Sequence, residues 1–201
     1  MKFRELKGYT YGYRGLNTLG KTSTPLCLKE HIYAFKTDKK NRYVVRVEEY
    51  LYSLFVLKFH LKSHSNSEFK YVLLSGFRDD PRRIIETCII IGHDILKKYP
   101  LASFGFLGSP IEDELKRGKI DKSKMLKSTK RYNLYRKFAA NYFNVDSYIH
   151  RIAPDKSSYL LINKEAQQQN PNITTEIESM FEEHCDIEEV FYDLLEVIEN
   201  K

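Results

Sequence analysis

The sequence predicts an α+β fold: a mixed, mostly antiparallel sheet of about six to seven strands, two packing helices, and acidic helices at the C-terminal end. Three observations lead there. Between His31 and Phe77 apolar and polar residues mostly alternate, the mark of half-buried strands. After Pro81, and again before Tyr142, apolar residues recur at the period of a helix. The elements then run β-β-β-β-α-β-α-β-β, a partial alternation that fits a mixed sheet. The composition supplies the material. With 201 residues, 42% hydrophobic and 30% charged, the chain can form an ordinary core without disulfides or metal, and a disordered or low-complexity class is excluded.

Residues 1–30 are rich in Gly, Thr and Tyr and read as an irregular N-terminal arm. Tyr9, Tyr11 and Tyr13 alternate and could form a short edge strand; beside Lys7, Arg14 and Lys21 they could also stack on bases, while packing onto the body is the simpler use. The core is expected over 31–165. A four-strand meander is read from HIYAFKT, NRYVVRVEEY, YSLFVLKFHLKS and FKYVLLSGF, broken by Asp38–Asn41, by Glu49/Tyr50 and by His64–Ser67. Asp79 or Asp80 then caps a helix with Pro81 at its first position, and Ile84, Ile85, Cys88, Ile89, Ile91, Ile95 and Leu96 form its buried face. Pro100 closes it. LASFGFLGSP reads as a short buried strand, with Gly105 suggesting a close backbone approach. A charged connection over 111–122 leads to a second helix from about Ser123 to Tyr142, with Leu134, Phe138 and Tyr142 as core positions. DSYIHRIAP and SYLLINK are two closing strands around a Pro154-Asp155 turn. A polar linker over 166–173 precedes acidic helices over 174–201, whose apolar stripe must dock on something; the chain's own basic body is the nearest candidate, and a protein partner or a homodimer contact is the other.

The net charge of +6 hides an asymmetry. From Asn172 to Lys201 ten carboxylates face one cation, a net −9, so the rest of the chain carries +15. Between Lys116 and Lys137 ten cations stand against Asp121 alone. Lys116, Arg117, Lys119, Lys124, Lys127, Lys130 and Arg131 are therefore candidates for nucleic-acid contact, and a solvated basic face is the plainer reading. Three cysteines without CxxC spacing read as reduced thiols. His60 and His64 fall at a strand end, where that spacing shares no face, so no metal site is expected. No apolar run reaches membrane-span length and the start has no secretory h-region, so a cytoplasmic chain without membrane contact is expected.

No catalytic signature of high specificity occurs. The best local candidate is Ser75–Arg83, which follows a strand and opens a helix. Free N–H groups at a helix start favour an anion, and Arg78, Arg82 and Arg83 would add contacts to a phosphate. The same arginines could instead pair with Asp79, Asp80 and Glu86.

In this element order, with Tyr71–Lys97 as strand, loop and helix and Ser128–Phe143 as second helix, the chain resembles the GCN5-related N-acetyltransferases. Leu134-Tyr135 matches the family's Leu-Tyr pair; Ser128 and Arg131 stand where Asn and Ala are usual, and Arg78–Arg83 has no glycine where the family loop has Q/R-x-x-G-x-G/A. The resemblance covers about residues 31–165. It implies a protein that binds an acyl-CoA, such as acetyl-CoA, or another phosphorylated ligand, with direct acyl transfer to an amine. Tyr135 would be the proton donor to the leaving thiolate, and Arg78, Arg82, Arg83 and Ser128 would contact the cofactor. A non-enzymatic nucleic-acid-binding or protein-interaction protein, regulatory or linked to a mobile element or defence, is the alternative that the charge pattern supports.

Overall fold

A computed structural model describes residues 5–18, 20, 27–67, 70–71, 79–109 and 128–184. The fold is α+β, with a mixed seven-stranded sheet in the order β1-β2-β3-β4-β5-β7-β6. The strands are β1 Tyr11–Thr18, β2 Lys29–Lys36, β3 Arg42–Glu49, β4 Leu54–Leu61, β5 Ser103–Leu107, β6 Tyr148–Ala153 and β7 Ser158–Asn163. All neighbours pair antiparallel except β4 with β5.

Among the described residues, the strands before the first helix include one within the arm expected to be irregular. The alternating tyrosines open a full eight-residue edge strand, β1, which pairs with β2 from Tyr11↔Phe35 to Thr18↔Lys29. A register shift between Tyr13 and Gly15 kinks this edge, and Gly15 sits at φ +150. The expected strand FKYVLLSGF falls largely outside the described residues; Lys70 and Tyr71, at its start, form a turn.

Helix α1 spans Pro81–Lys98. Asp80 is its cap, accepting from the N–H groups of Arg82 and Arg83, and Pro81 opens the first turn where a missing N–H costs nothing. Asp79 takes the other role: its carboxylate accepts from the Thr37 hydroxyl, Asn41 Nδ2 and the Tyr43 hydroxyl at 2.8, 2.7 and 2.9 Å, tying the helix start to the β2–β3 hairpin. Helix α2 spans Lys130–Tyr142, shorter than expected, because Ser128 adopts a left-handed φ of 52 and Thr129 caps by accepting from Tyr132 N–H. The expected residues before Ser128 lie outside the described ones.

Strand alternation assigns the two faces of the sheet. Tyr33, Phe35, Tyr43, Val45, Val47, Phe55, Phe104 and Leu161 point to one face, where α1 and α2 complete a large apolar core. Leu54, Val56, Leu160 and Ile162 point to the other. That second core is closed by two helices: α3, Lys164–Gln169, and α4, Ile173–His184. Part of the expected linker is thus helical, since Asn163 caps α3 through the N–H groups of Glu165 and Ala166 and Ala166 is buried. Ile173 and Ile177 are buried against the sheet, so the first acidic helix docks on its own body. The second acidic helix lies outside the described residues. Among the described residues no helix is long and apolar enough to cross a membrane.

Four histidines, His31, His60, His93 and His150, have pKa values lowered chiefly by burial. The unfolded chain therefore takes up protons below about pH 6.5 that the folded chain refuses. Stability is fully present above that pH and falls as the pH drops toward the native values, by at most about 1.4 kcal/mol per pH unit for each histidine. The expected result is a urea midpoint that is flat from pH 7 to 8 and lower at pH 5.5.

Candidate functional site

The parallel pair β4–β5 is the point where the sheet opens. The two strands pair only at Leu54↔Ser103, Phe55↔Phe104 and Val56↔Gly105, while β4 runs on to Leu61 and β5 continues along β7 to Leu107↔Ser158. On the face carrying α1 and α2, a small apolar cavity of about 30 Å³ lies beside this parting. Leu57 and Phe59 of β4, Phe104 and Phe106 of β5, Cys88 and Gly92 of α1, and Tyr135 and Phe138 of α2 line it. Gly92 sits in a helix interior, where glycine is unfavourable, and its missing side chain leaves the wall open.

Tyr135 is half-buried, packs its ring against Phe106 at 6.3 Å, and lines the cavity. Burial pushes its phenol up to about 12, against a lowering by Arg131. Cys88 is likewise pushed up to about 12 by burial and stays a thiol. The neutral phenol is a hydrogen-bond donor at pH 7, and the thiol is no nucleophile.

The arginines of the helix start are engaged. Arg82 Nε pairs with buried Glu86 at 2.8 Å, and the other Glu86 oxygen accepts from Lys7 N–H at 2.8 Å. Arg83 pairs with exposed Asp38 at 2.5 Å, donates to the Lys7 carbonyl at 3.2 Å, and lies 4.0 Å over the Tyr9 ring. Residues 7–9 thereby strap the first turn of α1. Arg78 lies outside the described residues. The intrahelical partner expected for Arg82 is present, but Arg83 turns to Asp38, which the sequence spacing did not suggest.

Ser128 precedes α2 with its backbone held: its N–H donates to the Pro154 carbonyl at 2.9 Å and its carbonyl accepts from Asn133 Nδ2 at 2.7 Å. Arg131 donates to the Tyr71 carbonyl, and Lys130 is exposed in the first turn of α2. Lys116, Arg117, Lys119, Lys124 and Lys127 lie outside the described residues. The structure therefore brings together Tyr135 with the parting strands, and sets Arg82 and Arg83 at the start of the same α1 that walls the cavity.

Sequence reasoning passed over the opposite face of β2–β4. There Glu30 and Glu48, both fully buried, lie directly across from one another, as do Arg46 and Lys58. Arg46 pairs with Glu30 at 2.5 Å and Lys58 with Glu48 at 2.7 Å, so the four charges form a checkerboard. The available signal was parity: all four residues fall on the alternation opposite to Tyr33, Val45 and Phe55. Among the described residues no group of three or more His, Cys, Asp or Glu could hold a metal ion.

Compared with known proteins, the chain matches no family model, no curated protein and no solved structure.

Proposed function

We propose that the protein is a divergent relative of the GCN5-related N-acetyltransferases that binds an acyl thioester of the acetyl-CoA type at the β4–β5 parting. One observation carries the reading: parallel strands that separate beside an apolar cavity, with a tyrosine of the following helix in its wall. On this reading a slender ligand arm would enter between the parting strands, and the apolar wall would face an acyl group. Tyr135 presents a protonated phenol there, positioned to hydrogen-bond the sulfur of a leaving thiolate. In the transfer itself the neutral amine nitrogen bonds the acyl carbon, the C–S bond breaks, the thiolate takes a proton from the phenol, and the proton shed by the amine returns through solvent to the phenolate.

Magnitudes choose between the two arginines as phosphate contacts. Glu86 is almost wholly buried, so breaking its pair with Arg82 would strand a buried carboxylate. Asp38 has 73% of its side chain exposed, so its pair with Arg83 is worth little and readily exchanged. Asp80 already fills the N–H groups of Arg82 and Arg83. Arg83 through its side chain is thus the assigned contact, a compensation for the absent glycine loop.

Isothermal titration with acetyl-CoA tests the reading. Saturable binding is expected, weakened about tenfold by Arg83→Ala, the loss of one charge-assisted contact. An alanine methyl at Gly92 meets its nearest atom, Phe104 Cε1, at 3.8 Å, an ordinary contact, and narrows the cavity. Gly92→Ala is therefore expected to stabilise the fold by about 0.5–1 kcal/mol while weakening acetyl-CoA. No saturable heat with the intact protein overturns the proposal.

A further inference from the structure

The sheet face that carries the second core is covered over only part of its width. By register its rows run Glu30–Glu48–Val56, then Ile32–Arg46–Lys58, then Ala34–Val44–His60, then Lys36–Arg42. The second core reaches the first of these rows through Val56 and stops there. Ile32, Ala34 and Val44 are half-buried and belong to neither core, whereas Tyr33, Phe35, Tyr43 and Val45 on the other face are buried. The edge of this patch carries no bulk either, since Gly12 of β1 stands opposite Ala34 and Gly15 opposite Ile32.

The same patch is basic. Lys36 and Arg42 are exposed. Arg46 and Lys58 pair with buried Glu30 and Glu48 and still keep part of their side chains exposed. Lys70 lies 5.3 Å over the Tyr71 ring, which Lys58 also approaches at 5.8 Å. Arg14 is exposed, with its guanidinium beside Gly12. Among the described residues, six cations thus stand on this part of the face against two carboxylates that are already paired.

The chain itself carries a complement. Helix α4 lies on this face, with Ile173 and Ile177 in the second core and Met180 packed against it, and the described residues end with that helix at His184. Residues 185–201 therefore continue from the same side of the sheet. Their six carboxylates stand against Lys201 alone, a net −5, and Ile187, Val190, Phe191, Leu194, Leu195 and Ile198 recur at helical spacing. No other stretch of more than two residues outside the described ones is net acidic; 110–127, the longest, has six cations against four acids. A helix over 186–200 would be about 22 Å long, more than the roughly 14 Å from β4 to β1.

We propose that residues 185–201 fold back as an amphipathic helix onto the open part of this face, their apolar stripe on Ile32, Ala34 and Val44 and their carboxylates against Lys36 and Arg42. Exposed ion pairs add little each, so the apolar stripe supplies most of the affinity and the charges select the partner. The contact lies on the opposite face from the cavity and does not depend on thioester binding.

Methyl nuclear magnetic resonance of the full chain at low ionic strength tests this. Nuclear Overhauser contacts are expected from the Ile32 and Val44 methyls to the Phe191 ring and the methyls of Leu194 or Leu195, within one copy and not between differently labelled copies in a mixed sample. Phe191→Ser with Leu194→Ser is expected to shift the Ile32 and Val44 methyls and to leave Val45, on the other face, unmoved. Lys36→Glu with Arg42→Glu changes two exposed side chains, with far-ultraviolet circular dichroism as the check on folding, and is expected to lower the ratio of docked to open segment about tenfold. Absence of these contacts in the full chain, contacts between copies only, or Ile32 and Val44 methyls unmoved in either variant would each overturn the proposal.

Discussion

Replacing Gly108 by alanine is expected to cost about 3 kcal/mol or more and to loosen α2 from the sheet. A Cβ there would sit 2.5 Å from the Tyr132 Cβ and backbone N and 2.6 Å from its Cα, and none of these atoms is the flexible end of a side chain. The neighbourhood cannot yield easily. Gly108 N–H donates to the Ser157 carbonyl at 2.9 Å, its carbonyl accepts from the Thr129 hydroxyl at 2.5 Å, and Thr129 N–H donates to the Ser157 hydroxyl at 3.0 Å. The end of β5, the start of α2 and the β6–β7 turn thus meet at one point. Tyr132 is 1% exposed, so the added methyl has only packed atoms to displace. Tyr135 lies one turn further along α2 and moves with it. Urea denaturation followed by circular dichroism should show the loss of stability, and acetyl-CoA titration a loss of affinity in the fraction that stays folded. A variant as stable as the parent would mean that α2 does not approach β5 as described.

Phe104→Ala is expected to lower stability by about 3–5 kcal/mol. Phe104 is fully buried in the middle of β5, with Phe55 at 6.3 Å and Phe143 at 5.4 Å between ring centroids, and it forms part of the cavity wall. Truncation would remove the packing that joins the sheet to the region after α2 and would enlarge the cavity. If the cavity is where an acyl group lies, bulkier acyl-CoA esters should gain affinity relative to acetyl-CoA, a ratio that lost stability alone does not change. Loss of stability without any change in that ratio would locate the acyl group elsewhere.

The legible part of this fold was the part written in local periods. Pro81 after Asp80 and the isoleucine face of α1 announced the helix, because a cap, a fixed φ and a 3.6-residue stripe act within a few residues of one another. The closing hairpin was equally clear from Pro154-Asp155 between apolar runs. The extent of β1 was not, because an edge strand with two exposed or half-buried tyrosines and two glycines takes its register from β2 rather than from its own pattern. A tight contact that the sequence did not single out lies at Gly108, where the neighbour is a residue twenty-four positions later.

The candidate site divides the same way. Tyr135 was singled out from a two-residue match, and the phosphate-facing role from a helix start rich in arginine. Which arginine is exchangeable depends on the burial of Glu86 and the exposure of Asp38, and Asp38 is far away in sequence. By itself, the sequence determined the class of fold, the capped start of α1, and the basic body with an acidic end, since these follow from composition and from interactions spanning a single turn. The tertiary structure alone decided where β4 and β5 part, that Tyr135 lines the resulting cavity, and that Glu30, Glu48, Arg46 and Lys58 share one buried face. Those depend on strand order and register, which bring distant residues within hydrogen-bonding distance and which the parity of a single strand does not supply.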